Sequence, residues 1–114
     1  MHELSIAQNI IEIVKDYVPE KDYKDVKSIM LKIGEMSGIV ADSLEFCFEA
    51  IKIDTPLCNS KLVIEKIPFM LFCNKCNSET SNTFGVRICD KCGDTDTYVV
   101  SGTDMKITEI ELDS

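Results

Sequence analysis

Histidine is nearly missing from this chain: one residue in 114, at position 2. That scarcity removes the commonest general base, and no nucleophile, base and oxyanion donors come together along the sequence, so the chain reads as a non-enzyme. Long hydrophobic runs are missing too. None approaches the roughly 18 apolar residues that suggest a membrane span, so no membrane insertion is expected. Near the N-terminus Glu3, Glu12, Lys15 and Asp16 interrupt the apolar positions, and no basic leader or cleavage pattern is present, so no export signal is expected. Basic charge is in short supply. The 12 Lys and Arg stand against 20 Asp and Glu, for a net charge of −8, which repels phosphate backbones and argues against nucleic acid as a partner. Without an export signal, the six cysteines are expected in a reducing compartment, the cytoplasm, as metal ligands rather than disulfides.

Four of those cysteines are regularly spaced: Cys73-Asn74-Lys75-Cys76 and Cys89-Asp90-Lys91-Cys92, with twelve residues between the pairs and Gly93 after the second. Each C-x-x-C offers two thiolates from one turn, and the intervening segment is long enough for a hairpin that brings the turns together. Four thiolates then surround one Zn²⁺ tetrahedrally, a closed set that makes the metal structural. Iron accepts the same donors and ranks behind zinc. Lys75 and Lys91 are placed to offset the charge of four thiolates on a dication, and Gly93 to take a positive φ. A segment of this size cannot bury a core unaided, so its folding is expected to be coupled to the metal. The remaining cysteines differ. Cys47, between Phe46 and Phe48, reads as a small core filler; Cys58 lies in a loop.

The frame around this unit reads as α/β. Leu4, Ala7, Ile11, Val14 and Val18 make a helical stripe, widened by Ile6, Ile10, Ile13 and Tyr17 and stopped by Pro19. A charged turn follows over 20–25. Residues 27–33 alternate as a strand, with Ile29, Leu31 and Ile33 on one face. A second helix is expected to open at Asp42, in capping-box spacing with Glu45, and to bury Leu44, Cys47, Phe48 and Ile51. A second strand spans 61–67 and ends at Pro68; a third spans 105–112, with a change of phase near Thr108 or Glu109 that a bulge would explain. The expected fold is therefore a small mixed three-stranded sheet with two helices, and a four-cysteine, zinc-ribbon-like domain inserted before the last strand. The domains are 1–67 with 103–114, and 68–102. The apolar connector Phe69-Met70-Leu71-Phe72 either buries against the α/β part or forms a partner surface.

Met1-His2-Glu3 carries a further possibility. The α-amine, the His2 amide nitrogen and His2 Nδ1 close adjoining chelate rings around one ion, and Glu3 can add a donor. Ni²⁺ and Cu²⁺ can displace the amide proton and favour the planar result. The residues alone leave two readings open, an exchangeable metal site or an idle N-terminus on a zinc-ribbon protein-interaction module.

The opening Met1-His2-Glu3-Leu4-Ser5-Ile6-Ala7, the stretch Val26 to Gly34, the segment Leu44 to Ala50 and the two C-x-x-C pairs together resemble the HypA family of hydrogenase nickel-incorporation proteins. The resemblance implies a nickel metallochaperone for [NiFe]-hydrogenase, with nickel as transient cargo at Met1, His2 and Glu3 and structural zinc at Cys73, Cys76, Cys89 and Cys92. It implies as partners the maturation GTPase HypB, the hydrogenase large subunit and, in some bacteria, urease maturation proteins. The expected state is a monomer or weak homodimer. Some members carry histidines beside the cysteine pairs; this chain has none there.

Overall fold

The computed structural model describes residues 3–113, so Met1 and His2 lie outside the described residues. Its elements are helices α1 (Glu3–Tyr17) and α2 (Ala41–Ile51) and strands β1 (Val26–Gly34), β2 (Lys61–Ile67), β3 (Met70–Cys73), β4 (Ser78–Thr80), β5 (Thr97–Ser101) and β6 (Met105–Leu112). Short 3-10 helices occupy Glu20–Asp25, where a charged turn was expected, and Lys52–Asp54. The chain divides into two compact units. One holds the described residues up to Lys32, Gly38–Glu65 and those from Lys106 on; the other holds Ile33–Ser37 and Lys66–Met105.

In the first unit α1 buries Ile6, Ala7, Ile10, Ile11 and Val14, one arc of a 3.6-residue helix. The expected stripe was wider than this. Leu4 and Ile13 fall on opposite flanks of the arc and Tyr17 sits in the last turn, and all three are exposed. Pro19, with no N–H to donate, stands two residues beyond Tyr17, the last residue of the helix. Strand β1 lies between β2 and β6. Asp113 N–H donates to the Asp25 carbonyl at 2.7 Å and Gly34 N–H to that of Asp104 at 2.8 Å, so β6 runs antiparallel to β1. The α2 crossover sets β2 parallel to β1, which makes the sheet mixed. Ile29, Leu31 and Ile33 are buried as the alternation requires; Val26 and Ser28 on the other face are buried as well, which suits a central strand. The Ser28 hydroxyl donates to Glu111 at 3.0 Å. Along β6 the half-buried positions shift parity after Ile107, with Thr108 and Glu109 both exposed.

Helix α2 corrects two expectations. It begins at Ala41 with Val40 as N-cap, and no side chain caps it, so the Asp42–Glu45 box does not form. The Glu3 carboxylate reaches this end of α2 from the start of α1 and accepts the Val40 N–H at 3.2 Å. Leu44 and Phe48 are fully buried, but Cys47 and Ile51 are only half-buried, so Cys47 is a flank residue of the helix and not core filler.

The second unit holds a sheet that the periodicity did not disclose, in the order β4-β3-β5, with both neighbours antiparallel to β3. The apolar stretch after Pro68 is its central strand. Phe69 and Leu71 are buried within the unit, and Phe72 pairs across the strands with Tyr98, ring centroids 5.4 Å apart. The ends of the inserted segment are drawn together by backbone bonds from Gly34, Glu35 and Met36 N–H to the carbonyls of Asp104, Ile67 and Gly102, each 2.8 Å. Gly102 has φ +97°, and a Cβ there would overlap the Phe69 backbone.

Candidate metal centre

The two C-x-x-C turns are built alike. The residue after each second cysteine, Asn77 or Gly93, has positive φ (56° and 78°). Its N–H donates to the carbonyl of the first cysteine, Asn77 to Cys73 at 2.8 Å and Gly93 to Cys89 at 2.9 Å. Each chain thus folds back tightly enough to aim both thiols the same way. Gly93 was foreseen in this role. Asn77 was not, although asparagine is the side-chain-bearing residue that most readily adopts this conformation.

The sulfurs of Cys73, Cys76, Cys89 and Cys92 all lie within 4.8 Å of one another. Cys73–Cys92 is 3.6 Å and Cys76–Cys89 is 3.7 Å. A tetrahedron with metal–sulfur bonds of about 2.3 Å has edges of about 3.8 Å, so the four donors fit one Zn²⁺. Cys73 and Cys89 are buried, while Cys76 and Cys92 face solvent. Backbone N–H groups of Cys92 and Lys91, with the neighbouring sulfurs, bring Cys89 down to about 7 against the cost of burial. Cys92 is pushed up to about 12: the Asp94 N–H favours its thiolate, but burial and the sulfurs of Cys73, Cys89 and Cys76 outweigh it. Sulfurs this close push the pKa values of Cys89 and Cys92 apart.

The two lysines differ. Lys75 forms an ion pair with Asp94 at 3.3 Å, which comes before the thiolates among the causes that raise its pKa. Asp94 is lowered first by the Asp96 N–H and then by Lys75. Between the cysteine pairs, Asn82 closes its own loop, its side-chain oxygen accepting from Phe84 and Val86 N–H at 3.1 Å and its NH₂ donating to the Val86 carbonyl at 2.7 Å. Arg87 and Thr97 lock reciprocally, Nη2 to the Thr97 carbonyl at 2.6 Å and Oγ1 to the Arg87 carbonyl at 3.0 Å. Sequence spacing located the cysteines but gave no sign of these two supports.

At the other candidate site only Glu3 lies within the described residues. Its carboxyl is held below the usual range by the Val40 N–H, then by its own backbone N–H, with Ser43 contributing.

The family model described as "Hydrogenase/urease nickel incorporation, metallochaperone, hypA" matches residues 1–112. The chain belongs to the HypA family. A HypA hydrogenase maturation factor of Desulfatibacillum aliphaticivorans is 40% identical over 114 residues, covering 98% of this chain and 87% of that protein. One from Chloroflexus aurantiacus is 37% identical over 116 residues, covering 97% and 98%. The solution structure of the Ni metallochaperone HypA from Helicobacter pylori superposes with a TM-score of 0.68 at 21% identity, covering 100% of this chain and 99% of that one, a likeness of fold. The chain is of a nickel metallochaperone family acting in hydrogenase maturation, and its four-cysteine cluster fits a structural zinc site. No helix among the described residues is long and apolar enough to cross a membrane.

Proposed function

We propose that this protein holds one Ni²⁺ at its N-terminus, through the Met1 amine, the His2 amide nitrogen and His2 Nδ1, and releases it during maturation of [NiFe]-hydrogenase. Family membership over residues 1–112 carries the reading, and the chemistry of the opening tripeptide makes it specific. An amine, an amide that Ni²⁺ can deprotonate and an imidazole favour a planar site. A chelate of this kind, one of whose donors must lose a proton to bind, can exchange its ion, as a carrier requires. Glu3 has an orienting role. Its ionised carboxylate ties the first turn of α1 to the start of α2 through the Val40 N–H at 3.2 Å, which supports a fixed base for the two residues before it.

Cys73, Cys76, Cys89 and Cys92 hold the zinc. Residues 1–67 with 103–114 form the nickel-binding domain and 68–102 the zinc domain. The protein works in the cytoplasm, where thiols stay reduced. It exchanges nickel with the GTPase HypB, the hydrogenase large subunit is the recipient, and urease maturation proteins are a second set of partners.

The test is a nickel titration of zinc-loaded protein, read by the d–d absorption of a planar site. The native chain takes up nickel. His2→Ala, and a protein extended by residues before Met1, retain zinc and fold but take up none. Equal nickel uptake by all three would place the site elsewhere.

A further inference from the structure

At the end of α1 remote from Glu3, Lys15, Lys21 and Lys24 line one open cleft of about 760 Å³. Lys15 comes from the last turns of α1, and Lys21 and Lys24 from the 3-10 helix Glu20–Asp25. Tyr23, Pro56 and Cys58 complete the lining, and Glu20 is the one carboxylate in it. The Tyr23 hydroxyl donates to the Lys15 carbonyl at 2.9 Å, which pins the 3-10 helix to the end of α1 and fixes the position of the cleft wall. Among the described residues none of these three lysines joins an ion pair, although Asp16, Asp22 and Asp25 are close in sequence. On a chain of net charge −8, the lining of this cleft holds three lysines against one glutamate, a local excess of cations.

We propose that this cleft docks an acidic segment of a partner protein, whose carboxylates meet Lys15, Lys21 and Lys24. A phosphate ligand fits less well. Residues 15–24 and 55–60 contain no glycine and no arginine, so neither a loop of backbone N–H groups nor a guanidinium fork is available to grip a compact anion. The ammonium groups sit on flexible stems along an open cleft, an arrangement that suits successive carboxylates on an extended chain. The Tyr23 ring and Pro56 offer apolar surface for the stems of such residues. The volume is in the range of pockets that take ligands of many atoms. This site is separate from the nickel reading: at about 1.5 Å rise per residue, Lys15 lies about 18 Å along α1 from Glu3, so a docked segment leaves the N-terminal end clear.

The experiment uses zinc-loaded full-length protein and a fluorescent oligoglutamate peptide, with binding followed by anisotropy at low salt. Cys58 is exposed, and its alkylation by iodoacetamide, mapped by mass spectrometry, reports occupancy of the cleft. Oligoglutamate is expected to bind despite the net negative charge of the protein, to weaken with added salt, and to slow alkylation of Cys58 but not of Cys47. The variant Lys21→Gln/Lys24→Gln changes two exposed side chains. It is expected to keep the native urea midpoint and nickel uptake while losing about tenfold in peptide affinity. Equal binding by variant and native protein, no binding by either, or unaltered Cys58 alkylation would overturn the proposal. So would slowing of Cys58 alkylation by inorganic triphosphate but not by oligoglutamate.

Discussion

The two units solve the same problem with different means. The α/β unit buries a continuous set of aliphatic side chains and one aromatic, with Ile10, Val14, Ile29, Leu31, Leu44 and Phe48 almost completely removed from water. The cysteine unit buries Phe69, Leu71 and Ile33, and its other buried apolar residues are Cys73 and Cys89, two of the candidate zinc ligands. Where the first unit relies on apolar area, the second relies on a few side chains, a lattice of local hydrogen bonds and four sulfurs placed for a metal. The difference shows that a small segment can keep a defined sheet without a large core, provided that its thiols have something to bind.

The contrast can be broken most directly at the metal. Cys89→Ser, or removal of zinc by a strong chelator, is expected to cost the cysteine unit binding energy on the order of 10 kcal/mol. Amide exchange in β3, β4 and β5 should then rise to unprotected rates while α1, α2 and β1 keep their protection. Protection retained in β3 after zinc removal would mean that the buried side chains suffice. The reciprocal change is Phe48→Ala, expected to lower the stability of the α/β unit by about 3–5 kcal/mol in urea denaturation while the protein still co-purifies with zinc. Gly102→Ala sharpens the comparison where the backbone itself is packed. Its φ of +97° and the overlap of an added Cβ with the Phe69 backbone lead to an expected loss of about 2 kcal/mol or more, seen as a lowered melting temperature.

The smallest effect is expected at Lys75. The raised Lys75 pKa and lowered Asp94 pKa set the pH window. Asp94's contribution is present above the ordinary carboxylate range and fades as pH falls through its lowered value. That of Lys75 is present below the ordinary lysine range and fades as pH rises through its raised value. Between the two the pair stays charged. Because Lys75 is exposed and Asp94 only half-buried, Lys75→Met should change the rate of zinc loss to a chelator by no more than about twofold at neutral pH.

Much of the α/β unit was legible because its elements are long enough to show a period. The buried residues of α1 recur at helical spacing, and Ile29, Leu31 and Ile33 alternate, so pattern and burial agree. The β4-β3-β5 sheet was not legible. Met70–Cys73 and Ser78–Thr80 are too short to establish alternation, and Phe69-Met70-Leu71-Phe72, read as a connector, proves to be mostly strand once β5 returns to pair with it. The Asp42–Glu45 box failed because the helix opens earlier than the spacing suggested: Val40 is the N-cap, which puts Asp42 inside the first turn. Cys47 failed because its neighbours Leu44 and Phe48 claim the centre of the buried face. At the candidate centre the cysteine spacing was enough to bring the sulfurs together. The supports at Asn77, Asn82 and Arg87 depend on backbone conformation that no spacing rule encodes.

The bonds from Gly34, Glu35 and Met36 to Asp104, Ile67 and Gly102 make the cysteine segment a ring with a tied neck, not a loose appendage. Most of the entropic cost of bringing its ends together is met before any ion arrives. A demetallated segment therefore stays tethered at both ends. It regains zinc from a narrowed set of shapes, and loss of the ion is a local event that the rest of the protein can outlast.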